Sequence, residues 1–220
     1  MKIIVTGATG MVGAEVVRQA ILDDDVLQVT CLVRKAGSLQ HPKLKYIVHN
    51  NFLDYSGLGN LFREHDACIW ALGVSQTQVG KEEYHRITYE YAITAGRAML
   101  AANPGIIFLF VSGKGADSSE KSKTLFARVK GKTENELLRM NFKKLIIARP
   151  GAIRPVHKNK HAPLAYKLVL PLLPIVQFFS PGFVISSVDL ALALIFLLKK
   201  AGPDKQLVDH RSLKKLVTNG

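Results

Sequence analysis

Two groups of residues in this chain have the types and spacing to do chemistry. Gly7, Gly10 and Gly13 in TGATGMVG follow directly on the apolar run KIIVT (2–6) and open onto MVGAEVVRQAIL. Glycine at the first positions permits a tight turn and lets backbone N–H groups approach a pyrophosphate. At the third position it lets helix and strand pack closely. A strand before and a helix after is the context that a dinucleotide-binding loop requires. Gly7, Thr9, Gly10, Met11, Val12 and Gly13 are therefore the candidates to line a pyrophosphate. The second group is Phe126 and Lys130 in TLFARVKG (124–131), which share one face of a helix at a spacing of four. If that face meets a nucleotide, a lysine lies beside a residue that carries no proton.

The end of the next strand speaks to the type of dinucleotide. An NAD site usually ends this strand with Asp or Glu for the ribose 2′-hydroxyl, whereas LQVTCLVRK ends in Arg34 and Lys35. A guanidinium matches a phosphate, so the expected cofactor is NADP. In NNFLD (50–54), Asn51 and the backbone near Phe52 follow the third strand, where the chain would pass the adenine edge.

The elements that must position these residues are legible from texture. KIIVT (2–6), LQVTCLV (27–33), KLKYIV (43–48), ACIWAL (67–72), IIFLFVS (106–112) and KLIIAR (144–149) read as parallel strands covered on both faces. Helical spacing runs through MVGAEVVRQAIL, residues 58–63, EEYHRITYEYAITAGRAMLAA and LFARVKGKTENELLRM. This alternation predicts an α/β class, a doubly wound, mostly parallel Rossmann-type sheet with helices on both faces. One domain over 1–220 is expected, with residues 151–185 as a substrate-side insertion or lid. Within that part, RPGAIRPVHKNKHAP (149–163) reads as a basic loop and LAYKLVLPLLPIVQFFSPGF as a broken apolar helix over the substrate end. Pro171, Pro174 and Lys167 argue against a membrane span. SSVDLALALIFLLKK reads as a core helix capped by Ser186 or Ser187, with Asp189 in its first turn.

Charge is uneven: residues 1–113 balance ten basic against ten acidic residues, so the net +13 lies wholly in residues 114–220. A nucleic acid or an anionic surface could use that field, but the basic stretch lacks interleaved aromatics and a recognition helix, and a solvated lysine-rich surface is the favoured reading. No metal site is expected. Two cysteines, Cys31 and Cys68, each inside an apolar run, fit a reducing compartment. The N-terminal apolar stretch is short and broken by glycine, unlike a secretory segment. The cytoplasm is the expected location.

TGATGMVG, CLVRK, ALG (71–73), FVSGKGAD (110–117), VKG (129–131) and RPG (149–151), in this order, resemble the atypical short-chain dehydrogenase/reductase superfamily, in particular its Tat-interactive-protein and NmrA-like branch. The resemblance implies a dinucleotide lying across the C-terminal strand ends, with Ala71, Leu72 and Gly73 along it. It also implies Lys130 on the nicotinamide ribose and the backbone from Pro150 at the nicotinamide end. Catalytic members carry a Tyr four residues before the lysine and a Ser after the fifth strand. The lysine lowers the tyrosine's pKa so that it protonates a carbonyl as hydride arrives. Here Lys130 is kept, Ser112 ends the corresponding strand, and Phe126 stands in the tyrosine place. Ser112 and Lys130 are the catalytic candidates; Tyr84, His85, Tyr89, Tyr91, His157 and Tyr166 are the other side chains that could supply a proton. The implied function is NADP(H)-dependent reduction of a small carbonyl or enoyl compound with a non-standard proton donor. A catalytically inactive NADP(H)-binding regulatory or partner-binding protein is the alternative, and a sugar-nucleotide epimerase-like enzyme a weaker one.

Overall fold

The structure, a computed structural model, describes residues 1–157 and 183–218. Its elements follow in chain order. β1 (Lys2–Thr6), α1 (Met11–Leu22), β2 (Gln28–Val33) and β3 (Leu44–Val48) come first, then a 3₁₀ turn (Ser56–Leu58) leading into α2 (Gly59–Arg63) and β4 (Ala67–Trp70). Next α3 (Lys81–His85) continues through a π-helical segment (Arg86–Glu90) into α4 (Tyr91–Ala102), and β5 (Ile107–Val111), α5 (Leu125–Arg139) and β6 (Lys144–Arg149) follow. The remainder is β7 (Ala152–Arg154), β8 (Val184–Ser186), α6 (Ser187–Lys199), β9 (Lys205–Asp209) and α7 (His210–Thr218).

Seven strands form one parallel sheet in the order β3-β2-β1-β4-β5-β6-β9. The order reverses between β1 and β4, so the loops after these two strands diverge and leave a crevice at the C-terminal edge, where open α/β sheets take ligands. Strand residues alternate between two cores. Ile3, Val5 and Ile69 pack with Val16, Leu190, Leu194 and Leu213 of α1, α6 and α7. Ile4, Cys68, Trp70 and Phe108 pack with Phe62, Met99 and Leu137 of α2, α4 and α5. Each large apolar side chain so buried contributes roughly 1.5–3 kcal/mol, which is why β-branched and aromatic runs without polar alternation settle here.

Several expectations are corrected. KLKYIV was expected to be covered on both faces, but β3 is an edge strand, with Lys45 and Val48 exposed. The stretch read as a basic loop begins with β7, which pairs in parallel with β8. A seventh sheet strand, β9, lies at the opposite edge beside β6. The broken apolar helix, apart from its last residue Phe183, and Tyr166 fall within residues 158–182, outside the described residues. The final long helix begins as its sequence suggests, with Ser186 Oγ accepting from the Asp189 amide at 2.9 Å. Cys31 and Cys68 are buried free thiols, and burial pushes the Cys31 thiol up to about 12. Among the described residues no helix is long and apolar enough to cross a membrane, and no group of side chains has metal-ligand geometry.

Candidate functional site

The loop after β1 is built by contacts that only glycine permits. Gly7 has φ +65°, and a Cβ there would lie 2.5 Å from the Ala71 carbonyl oxygen at the end of β4. A Cβ on Gly13 would lie 2.3 Å from the Gly7 carbonyl oxygen, so α1 sits directly against the strand end. The Gly10 amide donates to that same carbonyl at 2.8 Å. α1 then starts from Gly10 with no side-chain cap and no acidic residue in its first turn. The amides of Met11, Val12 and Gly13 belong to a first helical turn, where N–H groups have no intrahelical partner. Such an end, uncapped and free of carboxylates, fits a pyrophosphate.

Arg34 and Lys35 are exposed immediately after β2. Asn51 is exposed too; its Oδ1 accepts from the Leu53 amide at 3.1 Å and its carbonyl from the Asp54 amide at 3.0 Å. The Phe52 ring points away into the core, stacked on Tyr91 with centroids 5.6 Å apart, so only its backbone can face an adenine. After β4, the Leu72 amide donates to Thr6 Oγ1 at 3.3 Å, and a side chain at Gly73 would meet nothing within 4 Å.

The opposite end of the crevice gathers Ser112, Lys130 and Pro150. Lys130 is buried; its Nζ donates to the Val111 carbonyl at 3.0 Å and lies 4.6 Å from the centre of the Phe110 ring. Burial pushes this ammonium down to about 8, against a smaller opposing pull from Glu134. Ser112 is buried as well, and its hydroxyl donates to Glu134 Oε1. Glu134, 1% exposed, also accepts from Arg149 Nε at 3.0 and 3.1 Å, and Arg149 Nη2 reaches Ser118 Oγ at 3.0 Å. The serine hydroxyl is thus engaged inward with a buried carboxylate. The position that faces the 126 ring is the next one: a Cβ on Gly113 would lie 2.7 Å from Phe126 Cζ. The Phe126 amide donates to Gln76 Oε1 at 2.8 Å. The Pro150 carbonyl accepts from the Lys114 amide at 2.7 Å, and the Gly151 amide donates to His210 Nδ1 at 2.8 Å, which ties the end of β6 to β5 and α7.

Glu134, Arg149, Gln76 and His210 escaped the sequence reading. Glu134 stands four residues after Lys130, a spacing that shares its face, and was the one with a signal. Of the other proton-donor candidates, Tyr84 is fully buried, with its phenol pushed up by burial. Tyr91 stacks on Phe52, and Tyr89 carries the Lys132 ammonium 4.5 Å from its ring centre. His85 pairs with Glu90 at 3.2 Å, and His157 with the buried Glu15 at 2.8 Å.

Comparison with known proteins agrees with this geometry. The NAD(P)H-binding family matches residues 7–161. The mitochondrial protein FMP52 of Candida albicans is 26% identical over 165 residues, 73% of this chain and 71% of that protein. Protein HTATIP2 of Rattus norvegicus is 25% identical over 156 residues, 69% of this chain and 62% of that protein. In fold, the chain is similar to the Bordetella bronchiseptica enzyme WbmF in complex with NAD+, with TM-score 0.71 at 13% identity over 99% of this chain and 77% of that one. UDP-N-acetylglucosamine 4-epimerase from Bacillus cereus gives TM-score 0.70 at 18% identity over 95% and 77%. The expectation of a cytoplasmic protein is overturned by the FMP52 relatives, which are named as mitochondrial in several fungi. A glycine cradle at the switch point of a parallel sheet and a match across most of the strands that carry it lead to one assignment: the chain belongs to the NAD(P)H-binding family, with a Rossmann-type fold.

Proposed function

We propose that the chain binds NADP(H) in preference to NAD(H) and acts as a reductase of a small carbonyl or enoyl compound. The observation that carries this reading is Lys130, buried at the end of β5 on the Val111 carbonyl, within reach of the crevice's nicotinamide end. In this reading the first amides of α1 hold the pyrophosphate, Arg34 and Lys35 the 2′-phosphate, Asn51 and the Phe52 backbone the adenine edge. Ala71, Leu72 and Gly73 flank the dinucleotide, Lys130 holds the nicotinamide ribose, and the Pro150 backbone limits the nicotinamide end. Bound NADPH supplies hydride. Phe126 and Gly113 supply no proton and the Ser112 hydroxyl is turned to Glu134, so a replacement acid or water protonates the substrate oxygen. The names of the FMP52 relatives support a mitochondrial setting.

A second reading is a binding protein that holds NADP(H) without turnover. It is favoured by Phe126, which stands in the tyrosine place with its ring against Gly113, so neither of these facing positions carries a hydroxyl. Fluorescence titration with NADPH and NADH, followed by assay with aldehydes and quinones, separates the two. NADPH should bind the tighter, and Arg34→Asp should erase that preference, a loss of about tenfold or more for one charged hydrogen bond to phosphate. Equal affinities for the two cofactors in the unmodified protein would overturn the NADP assignment. NADPH binding without turnover of any substrate would establish the second reading.

A further inference from the structure

We propose that Lys114 makes the substrate mouth select an anion, so that the compound presented to the nicotinamide end carries a carboxylate. This rests on the cofactor reading above and deepens it. Lys114 follows Ser112 and Gly113 directly, and its amide is fastened to the Pro150 carbonyl at 2.7 Å, which fixes it at the end of the crevice where β5 and β6 stop. Its side chain is exposed and crosses toward Phe183, the residue before β8, with Nζ 4.7 Å from the ring centre. Phe183 is itself held against the same strand end, since its carbonyl accepts from the Ala152 amide at 3.2 Å. The ammonium therefore lies over a ring anchored at the same strand end as its own backbone.

The neighbouring charges are already committed. Arg149 is taken up by Glu134 and Ser118, and Lys130 by the Val111 carbonyl. Among the carboxylates, Glu134 holds Arg149 and Ser112, and Glu120 accepts from Asn135 Nδ2 at 2.7 Å. Asp117 accepts from the Ser119 hydroxyl at 2.7 Å and from the amides of Ser119, Lys121 and Ser122. Asp209 accepts from the Ser212 amide at 2.8 Å. Among the described residues, none of these carboxylates forms an ion pair with Lys114. An ammonium with an aromatic ring beneath it and no carboxylate beside it, at a site's mouth, favours a small organic anion. The apolar part of that anion can share the Phe183 face.

The test compares benzoate with its neutral isostere benzamide, with affinities from ligand-observed NMR titrations with and without saturating NADPH. Benzoate should bind the unmodified protein about tenfold more tightly or better, as one charge-assisted hydrogen bond gives, and the margin should shrink with salt. Lys114→Met should abolish the preference, Lys114→Arg should keep it, and both should leave NADPH affinity unchanged. Equal affinities for benzoate and benzamide, or a preference that survives in Lys114→Met, overturn the inference. Failure of NADPH to bind would sink the cofactor reading alone, since the titrations without cofactor still decide the role of Lys114.

Discussion

Phe126 and Gly113 are best understood as one feature. The ring atom that would bear a tyrosine hydroxyl is the atom closest to position 113, and a Cβ there would stand 2.7 Å from it. A serine at 113 would press on the far end of this ring and force it to shift, so the two positions are packed directly against one another. In Phe126→Tyr the new hydroxyl extends over the bare glycine on the helix face of Lys130, whose charge favours the phenolate and lowers its pKa. The variant should keep its NADPH affinity and gain carbonyl reductase activity, by about 10²-fold or more, the usual effect of a positioned general acid. A kcat/KM for aldehydes that is already high in the unmodified protein and falls in the variant would place the acid elsewhere. Lys130 also leaves a signature on stability. Its folded pKa of about 8 lies below the ordinary 10.5, so unfolding takes up a proton between those values. Stability therefore rises with pH across that window, by up to about 3 kcal/mol, and below it the full cost of burying the charge is present and does not vary with pH. Lys130→Met, which removes the buried charge, should be the more stable protein at pH 7 without cofactor and should lack that rise, while binding NADPH less well. Urea unfolding at pH 7.5 and pH 10 checks this; parallel changes in the two proteins would show that Lys130 is not desolvated. The glycine loop and the placing of Phe126 and Lys130 on one helix were legible in sequence because their spacing is local. The Ser112, Glu134 and Arg149 cluster was not, since its members come from β5, α5 and β6 and only the fold brings them together.

At the scale of elements, α5 and the loop after β5 are locked by Gly131. A Cβ at this position would lie 1.8 Å from the Asp117 carbonyl oxygen, and the Asp117 amide donates to the Ala127 carbonyl at 2.9 Å on the same helix. Backbone passes over backbone here, so a methyl group has no flexible neighbour to displace. Gly131→Ala should cost about 3 kcal/mol, at the upper end of overpacking, and should weaken NADPH binding because the helix carrying Lys130 is pushed from its loop. Thermal melting and NADPH titration together test this, and an unchanged melting temperature would contradict the close approach. Element bounds in the sequence followed burial. β1 and β6 have the expected limits because their apolar runs are fully covered in the sheet interior. β9 was missed because KQLVD, at the edge beside β6, buries only Val208 well and reads as polar. β7 and β8 were missed because each is a three-residue strand whose partner lies some thirty positions away in sequence. No local periodicity reports such a pairing.

At the scale of the whole molecule, the excess of positive charge in the second half has a structural use that the sequence alone does not reveal. Helix C-termini leave carbonyls without partners and carry a partial negative charge, both of which a lysine can satisfy. Lys144 does this at the end of α6, where its Nζ lies 2.8–3.3 Å from the carbonyls of Leu197, Leu198 and Lys200. Lys205 donates to the Leu138 carbonyl near the end of α5 at 2.6 Å, and Arg128 to the Ser122 carbonyl at 2.7 Å. Arg149 is bound to Glu134, and Lys199 to Asp23 and Asp25 at 2.8 and 2.9 Å. Cations engaged in this way are distributed over several elements and directed into the protein's own backbone, not aligned to follow a polyanion. Binding of a nucleic acid should therefore be weak and nonspecific, since affinity of that kind grows with the number of phosphates neutralised and falls steeply with salt. On a heparin column the protein should be retained at low ionic strength and released by about 0.15 M salt, where charges more than about 8 Å apart are screened from one another. Elution well above that concentration, with a steep dependence of affinity on salt, would show that the cations act together on a polyanion and would reopen a nucleic-acid or anionic-surface role for the second half of the chain.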